Sequence, residues 1–515
     1  MSTVSQSLPH PGDSDVPRRS SARGVPPTPR SGAVVAVLAL AGIVVSTTQT
    51  LVVPIVPDLP RLLNASASNT AWTVTATLVA AAIATPVVGR LGDMYGKRRM
   101  LLVSLALMVA GSFTAALSDS LLPMLIGRVL QGLSAGIVPL GISILRDELP
   151  PEKLTTSSAV MSASLGIGAA LGLPAAALIA DNFDWHVLFW ASGILSAVAA
   201  LLVWALIPAS TVRTGGRFDL PGAIGLSTGL VCLLLAVSKG ADWGWTSGPT
   251  LTLFAAAVVV LLLWGRFELR TERPLVDLRT SARRQVLFTN FATVAVGFSM
   301  FAVSLVVPQL LQLPEQTGYG LGGSLLTAGL VMAPQGVVMM LIAPVSALLS
   351  KTRGPKTTLM LGAAVVACGY ALNIALMAEV WHFVLVSCII GAGVGLAYGA
   401  LPALIMSAVP ASETAAANSF NTLMRSLGAS FSSAVIGVLL AQMTTTSGSL
   451  SVPSENGFRT VMAVGAGAAV LALLLAFFLP RHRPAGSAEE TAAKRSPGQE
   501  VRNASGIPGS APTQA

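Results

Sequence analysis

Fourteen apolar stretches, each long enough to cross a lipid bilayer as a helix, recur along almost the whole chain. The hydrocarbon core of a bilayer requires roughly 20 apolar residues in helical form. The stretches lie near 33–56, 70–90, 100–118, 121–145, 155–180, 187–207, 220–240, 249–266, 287–312, 322–349, 357–378, 382–408, 414–443 and 459–480. Only 10% of the 515 residues are charged, against roughly 25% in a soluble chain. The sequence therefore predicts an all-α polytopic membrane protein of about fourteen spans.

The two ends of the chain differ in composition from everything between them. Residues 1–32 and 481–515 are rich in polar residues, Pro and Arg, and neither contains a long apolar run. Such segments cannot bury enough apolar surface to offset the loss of chain entropy on folding. The N-terminal one also lacks the apolar core of a signal peptide. Both are predicted to be disordered tails.

The basic residues indicate the orientation of the spans, because cytoplasmic loops carry an excess of Lys and Arg. An even number of spans places both termini on one side. If that side is cytoplasmic, the inner loops and span ends carry Lys97, Arg98, Arg99, Arg146, Lys153, Arg213, Arg217, Arg266, Arg270, Arg273, Arg279, Arg283, Arg284, Lys351, Arg353 and Lys356. The outer ones carry only Arg61, Lys239 and Arg459. The net charge of +9 is thus explained by membrane topology, and no nucleic-acid partner is expected.

Two other classes of membrane protein fit the sequence poorly. An enzyme needs bases, nucleophiles or metal ligands gathered at one depth. The histidines lie in the tails or at span edges, at His10, His186, His382 and His482. The cysteines lie inside apolar runs, at Cys232, Cys368 and Cys388. No catalytic residues, metal site or organic cofactor are therefore expected, and the short loops leave no room for a receptor domain.

An internal repeat divides the chain. Segments 86–98, 132–136 and 164–166 match segments 344–356, 391–395 and 426–428, at offsets of 258, 259 and 262 residues. These matches pair span two with ten, four with twelve and five with thirteen. The predicted division is a first six-helix half, two inserted helices with a basic loop, and a second six-helix half, over residues 33–207, 208–284 and 285–480. Parallel halves of six spans are a transporter architecture with the substrate site between them.

Three motifs carry a resemblance to a known family. Residues 89–99 look like the G-x-L-x-D-x-x-G-[RK]-[RK] signature of the major facilitator superfamily, and residues 128–132 resemble its R-x-x-Q-G signature. The six-plus-two-plus-six plan is similar to its fourteen-span drug:proton antiporter branch. Residues 184–190 resemble the W-R-x-x-F segment of that branch, with His186 in place of Arg. The resemblance covers about residues 33–480.

The first motif implies a conformational latch between the halves on the inner side. Its members are Gly89, Arg90, Asp93, Gly96, Lys97 and Arg98. The glycines allow a tight turn and close backbone approach. The resemblance implies that Asp93 meets a basic side chain and the N-terminus of span thirteen, near Ser412 and Glu413. Since the second copy has Lys351 where Asp93 stands, the latch is predicted to be one-sided.

The second motif places an arginine inside span four. The resemblance assigns Arg128 to the central cavity and to proton coupling, with Gln131 as the other polar member of the motif. The alternative is an Arg that snorkels to the membrane surface or donates to backbone carbonyls, because a lone charge within a span is costly.

Span five departs from the antiporter signature of the branch. The expected Gly-Pro and Gly-Gly pairs are replaced by Gly172, a Pro displaced to position 174, and alanines. Gly168 and Gly172 still form a G-x-x-x-G face for close helix packing, and Pro174 is expected to kink the helix.

Span one also departs from the branch, and this bears on the substrate. The branch usually has an acid where Thr48 stands, and no Asp or Glu falls at the midplane of any span. The proton carrier is therefore unassigned, and a cavity without an acid does not favour cationic drugs. Candidate substrate contacts by helix position are Thr48, Gln49, Asn290, Met300, Gln335, Met339 and Tyr398, although side chains at such positions more often serve helix packing.

The function expected from these features is secondary active export of an amphiphilic, neutral or anionic drug, antibiotic or secondary metabolite, by proton antiport and alternating access. Proton-coupled import of a metabolite and a transport-inactive sensor or scaffold remain as alternatives. The energy source would be the proton gradient, and the partners would be the substrate, protons and the lipid bilayer. A monomer in a bacterial cytoplasmic membrane is expected.

Overall fold

The computed structural model describes residues 30–52, 55–56, 58–209, 213–447 and 450–480. Almost all of the two predicted tails lies outside these ranges. Within them, fourteen helices or helix pairs are long and apolar enough to cross a membrane. The predicted number of spans is confirmed, so the span numbers are kept.

Spans one to seven comprise helices Arg30–Thr50, Trp72–Tyr95, Lys97–Ala116, Leu121–Leu133 with Ile137–Glu148, Pro151–Asn182, His186–Leu206 and Leu220–Trp243. Spans eight to fourteen comprise Gly248–Glu268, Arg284–Gln312, Leu325–Leu341 with Ala343–Thr352, Pro355–Ala375, Val380–Met406, Thr414–Gln442 and Glu455–Phe477. Short helical segments in the connections are Leu59–Leu62, Ala67–Thr70, Leu278–Ser281, Glu315–Thr317 and Ala411–Glu413. Spans one to six are called the first half, and spans nine to fourteen the second half.

Two features of the connections differ from the sequence prediction. Span two continues to Tyr95, five residues beyond the predicted end, so Asp93 lies on a helix rather than in a loop. The turn into span three consists of Gly96 alone, whose φ of +110° lies in the region that favours glycine. Between spans thirteen and fourteen, an unpredicted antiparallel hairpin pairs β1 (Thr444–Ser447) with β2 (Leu450–Pro453).

The two halves meet chiefly along two pairs of helices. Span five packs along span ten, and span two packs along span thirteen. The inserted spans seven and eight pack on each other, and span seven also contacts spans two and thirteen. In that contact Leu226 and Leu230 cluster with Ala82 of span two and Leu423 of span thirteen. The inserted pair therefore covers one of the two seams between the halves.

The connections that follow the even-numbered spans share one face of the molecule, which is called the basic side. It carries the loop residues that the sequence assigns to the cytoplasm, among them Lys97, Arg273 and Lys351. The opposite face is called the far side.

Candidate functional site

Asp93 joins the two halves on the basic side. It lies in the last turn of span two and is 1% exposed. Its Oδ1 accepts a hydrogen bond from the Ala415 amide at 3.2 Å, and its Oδ2 accepts one from Ala416 at 2.8 Å. Both amides belong to the first turn of span thirteen, where free N–H groups and the helix dipole attract a carboxylate. The contact lies slightly further along the chain than the expected position near Ser412 and Glu413.

The sequence does not specify which basic side chain meets Asp93, and Lys97, the nearest lysine along the chain, pairs with another carboxylate. Lys97 forms a salt bridge with Asp147 at 2.8 Å, and the two side chains are 0% and 4% exposed. Arg90 and Lys97 attract Asp93 electrostatically, but within the described part of the chain neither reaches salt-bridge distance. Asp147 was missed at the sequence level. It stands directly after Arg146 at the end of span four, where it reads as an ordinary loop acid.

Arg146 makes a second link between the halves. Its guanidinium donates to the Thr414 hydroxyl at 2.6 Å and to the Val409 carbonyl at 3.1 Å. The prediction of a one-sided latch is wrong, because the Lys351 ammonium of the second half donates to the Glu152 carbonyl at the start of span five. Both copies of the repeat therefore touch the opposite half, with different chemistry.

The other members of the first motif, Gly89, Arg98 and Arg90, contact three different parts of the molecule. A Cβ on Gly89 would lie 2.2 Å from the Ser419 hydroxyl, so only glycine allows spans two and thirteen to approach this closely. Arg98 donates to the Trp204 carbonyl at the end of span six. Arg90 points to a cavity on the basic side.

That cavity has a volume of about 260 Å³ and lies between the halves and the inserted segment. Its lining includes Arg90, Thr214, Glu272, Arg273, Leu275, Val276, Asp277, Asn290, Glu413 and Phe420. The Thr214 amide donates to the Asp93 carbonyl oxygen at 2.8 Å. The inserted segment is thus in direct contact with the Asp93 region.

Asp277 is held at the edge of this cavity as the N-cap of the short helix Leu278–Ser281. Burial, the largest influence, raises the pKa of its carboxyl. Hydrogen bonds from the Thr280 side chain and from the Thr280 and Arg279 amides lower it, so the pKa lies below its ordinary value. Asp277 is therefore a fixed negative charge whose carboxylate is already hydrogen-bonded to its own short helix.

Arg128 belongs to a hydrogen-bond chain inside the first half. Its Nε donates to the Thr73 carbonyl at 3.2 Å, and its Nη1 donates to Gln131 at 2.6 Å. Gln131 donates to Ser112 at 3.0 Å, which lies 3.1 Å from the hydroxyl of Ser192. The chain links spans two, three, four and six.

The far end of the chain is Thr48, whose hydroxyl lies 2.8 Å from that of Ser192. Arg128 is 2% exposed and Thr48 is 3% exposed, and neither lines the basic-side cavity or the smaller one around Tyr398. The alternative for Arg128, donation to a backbone carbonyl, is observed, and its role in a central cavity and in proton coupling stays a prediction. Within the described residues no carboxylate forms an ion pair with Arg128.

A second cavity, of about 20 Å³, lies between the halves. Its lining residues are Val138, Ile142, Ser162, Thr293, Tyr398, Leu401, Pro402, Asn418, Asn421, Thr422 and Arg425. The Arg425 guanidinium carbon lies 5.2 Å from the Tyr398 ring centroid. Asn421 donates to Asn290 and to Thr293, both at 2.8 Å. Asn421 and Arg425 were missed at the sequence level, although Arg425 is visible in the sequence as a cation within an apolar span.

The other candidate substrate contacts are dispersed. Gln49 is exposed and Met300 is half-buried against the second-half core. Met339 packs on Gly166 of span five, and the Oε1 of Gln335 is buried without a hydrogen bond to any described residue. Of the seven candidates, Tyr398 and Asn290 are the two that the structure brings to the region of Arg425.

Gly168 and Gly172 pack span five against span one. A Cβ on Gly168 would lie 2.5 Å from the Ile43 carbonyl, and one on Gly172 would lie 1.9 Å from the Thr50 hydroxyl. Pro174 lies within the continuous helix Pro151–Asn182 and packs on Gly329 of span ten. Among the described residues, no group of three or more His, Cys, Asp or Glu side chains is arranged to hold a metal ion.

The family model of the Major Facilitator Superfamily matches residues 38–433, well over half of the chain. The chain belongs to the major facilitator superfamily. Within this superfamily it is similar to Multidrug resistance protein 3 of Bacillus subtilis, with 24% identity over 374 residues, which are 72% of each chain. It is also similar to the Tetracenomycin C resistance and export protein of Streptomyces glaucescens, with 28% identity over 440 residues, 81% of this chain and 78% of the relative.

A solved structure shows the same superfamily fold. The human organic anion transporter MFSD10 superposes with a TM-score of 0.64 and 16% identity, covering 87% of this chain and 100% of that one. At this level of identity the likeness concerns the fold, and the transported molecule has to be inferred from the site.

Proposed function

We propose that this superfamily member exports an amphiphilic drug, antibiotic or secondary metabolite by proton antiport and alternating access. The contact of Asp93 with the Ala415 and Ala416 amides carries the transport part of the proposal. It joins the halves through one side chain and two amides. It can therefore form and break as the basic side closes and opens, as alternating access requires. The names of the two bacterial relatives support export as the direction.

The chemistry between the halves supports a neutral or anionic substrate. The small cavity contains the Arg425 cation, the Tyr398 ring and two asparagine amides, and none of its lining residues is acidic. A half-buried cation attracts anions and hydrogen-bond acceptors, and an aromatic ring packs against apolar parts of a guest. An amphiphile with an acceptor or a negative charge fits this combination.

The membrane setting belongs to the same proposal. The basic loops all lie on one side, and the positive-inside rule assigns that side to the cytoplasm. Both termini are then cytoplasmic, and the protein acts as a monomer in a bacterial cytoplasmic membrane, without an organic cofactor and without chemical change to its substrate.

Reconstitution in liposomes tests the proposal. The full-length protein is exposed to an imposed pH gradient and a panel of labelled anionic, neutral and cationic amphiphiles. Movement of anionic or neutral compounds against the proton flow, with little movement of cationic ones, is expected. Movement in the same direction as protons would identify an importer, and a folded protein that moves no compound would favour a scaffold or sensor.

A further inference from the structure

Two carboxylates meet at the basic-side end of the inserted helix pair. Asp219 is the N-cap of span seven, and its Oδ1 accepts a hydrogen bond from the Gly222 amide at 2.9 Å. Glu268 is the last residue of span eight, and its Oε1 accepts one from the Trp264 indole at 3.1 Å. A Cβ placed on Gly222 would lie 2.2 Å from Asp219 Oδ2 and 2.8 Å from Glu268 Oε1. The distance between Asp219 Oδ2 and Glu268 Oε1 therefore cannot exceed the sum of those two distances.

Each carboxylate also has one oxygen without a hydrogen bond. Asp219 Oδ2 and Glu268 Oε2 are buried and have no partner among the described residues, and the whole Glu268 residue is 2% exposed. None of the ion pairs within the described ranges includes either side chain. A buried carboxylate oxygen without a partner is costly, so this arrangement needs something to bind between the two groups.

The groups around Glu268 stabilise a single negative charge on the Asp219–Glu268 pair, but not a charge on each carboxylate. The Leu275 and Val276 amides face its carboxylate, although neither reaches hydrogen-bonding geometry, and the indole of Trp264 donates to it. Asp219, facing from span seven, is the charge that acts on it. Among the described residues, none of the nearby cationic side chains forms an ion pair with Glu268. Arg266 and Arg270 are exposed. Arg273 lies against Gly216, and Arg279 donates to the Leu269 carbonyl.

We propose that Asp219 and Glu268 share one proton and form a proton-binding site in the inserted helix pair. The proton makes an O–H bond with one carboxyl group and is donated to an oxygen of the other. Glu268 is buried and Asp219 is half-buried, and two neighbouring carboxylates at such a position do not both ionise readily. The proton comes from hydronium in the water on the basic side, whose O–H bond breaks as the carboxyl O–H bond forms.

The site holds the loop that reaches from the inserted pair to the second half. Leu275 and Val276 follow Glu268 in the chain and are buried in one cluster with Leu226 of span seven and Leu423 of span thirteen. They also line the 260 Å³ cavity beside Glu413. Loss of the shared proton leaves two repelling charges beneath this loop and weakens its packing on span thirteen. The inserted pair thereby makes the basic-side seam sensitive to pH, a role that goes beyond export itself.

Infrared spectroscopy of the full-length protein in liposomes, without substrate, tests the proton site directly. The wild type is titrated through neutral pH, and the C=O band of protonated carboxyl groups is followed. Glu268→Gln and Asp219→Asn should each lose band intensity equal to one carboxyl per molecule. Glu272→Gln, which removes an exposed carboxylate four residues further on, should leave the band unchanged. A band of equal intensity in wild type and Glu268→Gln would overturn the proposal.

Thermal unfolding provides a second test of the proton site, which compares the pH dependence of Tm across several variants. The folded protein holds a proton that the unfolded chain releases, so the contribution of the pair to stability falls as pH rises. Between about pH 4.5 and about pH 7, the Tm of the wild type and of Glu272→Gln should fall more steeply than that of Glu268→Gln or Asp219→Asn. Parallel curves for all four proteins would contradict the shared proton. Both experiments omit the transported compound, so their failure is distinct from failure of the export proposal.

Discussion

Asp93 shows how much a single side chain contributes when it caps a helix of the opposite half. Its two oxygens accept hydrogen bonds from two amides of span thirteen. A carboxylate at a helix N-terminus contributes about 0.3–1 kcal/mol when exposed and up to about 2 kcal/mol in a partly buried geometry. That range suits a contact that has to break in every transport cycle, because a much stronger one would trap the protein in one state.

Replacing Asp93 by Asn should leave membrane insertion intact and strongly reduce transport. The Asn side chain keeps the shape and one acceptor, but it loses the negative charge at the helix dipole and the second acceptor. Liposome transport measures the effect, and expression level reports insertion. The matched control is Asp58→Asn, which removes a 60% exposed side chain on the far side. Full transport by the Asp93 variant would contradict the latch.

Gly96→Ala should destabilise the protein. The residue has a φ of +110°, and forcing a side chain into left-handed backbone space costs roughly 1–3 kcal/mol. We expect a lower Tm in detergent. Gly467→Ala is the control, since it lies in a helix with nothing within 4 Å of its Cβ position. Equal melting of the two variants would show that the turn tolerates a side chain.

At the scale of helices, hydrogen bonds between spans hold the first half together from inside. The chain from Arg128 through Gln131, Ser112 and Ser192 to Thr48 crosses four neighbouring helices. Within a bilayer, such bonds act where the hydrophobic effect gives little preference for one helix neighbour over another. The buried arginine is thus explained by its position in this chain, and proton coupling through it is a separate hypothesis.

Gln131→Leu interrupts this chain at its centre. It removes the acceptor of Arg128 and the donor of Ser112, and an unsatisfied buried polar group costs about 1–3 kcal/mol. A fall in Tm is expected, together with reduced transport. Gln312→Leu, at an exposed position whose amide bonds only to the nearby Pro308 carbonyl, should change the Tm little. Equal Tm values for the two variants would contradict this interpretation.

At the scale of the whole molecule, the halves are closed against each other on the basic side. Asp93, Arg146 and Lys351 each contact the opposite half there, and only about 20 Å³ of space remains around Tyr398 and Arg425. The inserted pair adds a lateral cover over the seam of spans two and thirteen. Opening toward the basic side therefore requires several weak contacts to break together.

Arg146→Ala should make the basic side easier to open. The test is the labelling rate of a cysteine introduced at Ser162, which lines the small cavity, with a membrane-impermeant thiol reagent added on the basic side. The native cysteines at 232, 368 and 388 are first replaced by Ala. We expect labelling several-fold faster in the Arg146 variant. A cysteine at Thr352, exposed on the basic side, should react equally with or without the change, and an unchanged rate at 162 would contradict the prediction.

The sequence by itself determined the number of spans, because that number depends on local properties. The pairing of the spans in a repeat stays a prediction. In lipid every backbone polar group must be satisfied within the helix, so apolar length reports a span directly. The end of span two was placed too early because its last turn is polar, and the β1–β2 hairpin lacks a pattern that distinguishes it from a loop.

Only the tertiary structure decided which polar groups meet. Asp147 pairs with Lys97 from fifty positions along the chain, and Asp219 faces Glu268 because the two inserted helices pack antiparallel. The same applies to Arg128, which the motif identified but whose partners, the Thr73 carbonyl of span two and Gln131 of its own span, lie inside the first half. Burial and partner choice depend on how helices turn their faces toward each other. Apolar length does not encode that rotation, so the latch contacts and the carboxylate pair became visible only in the fold.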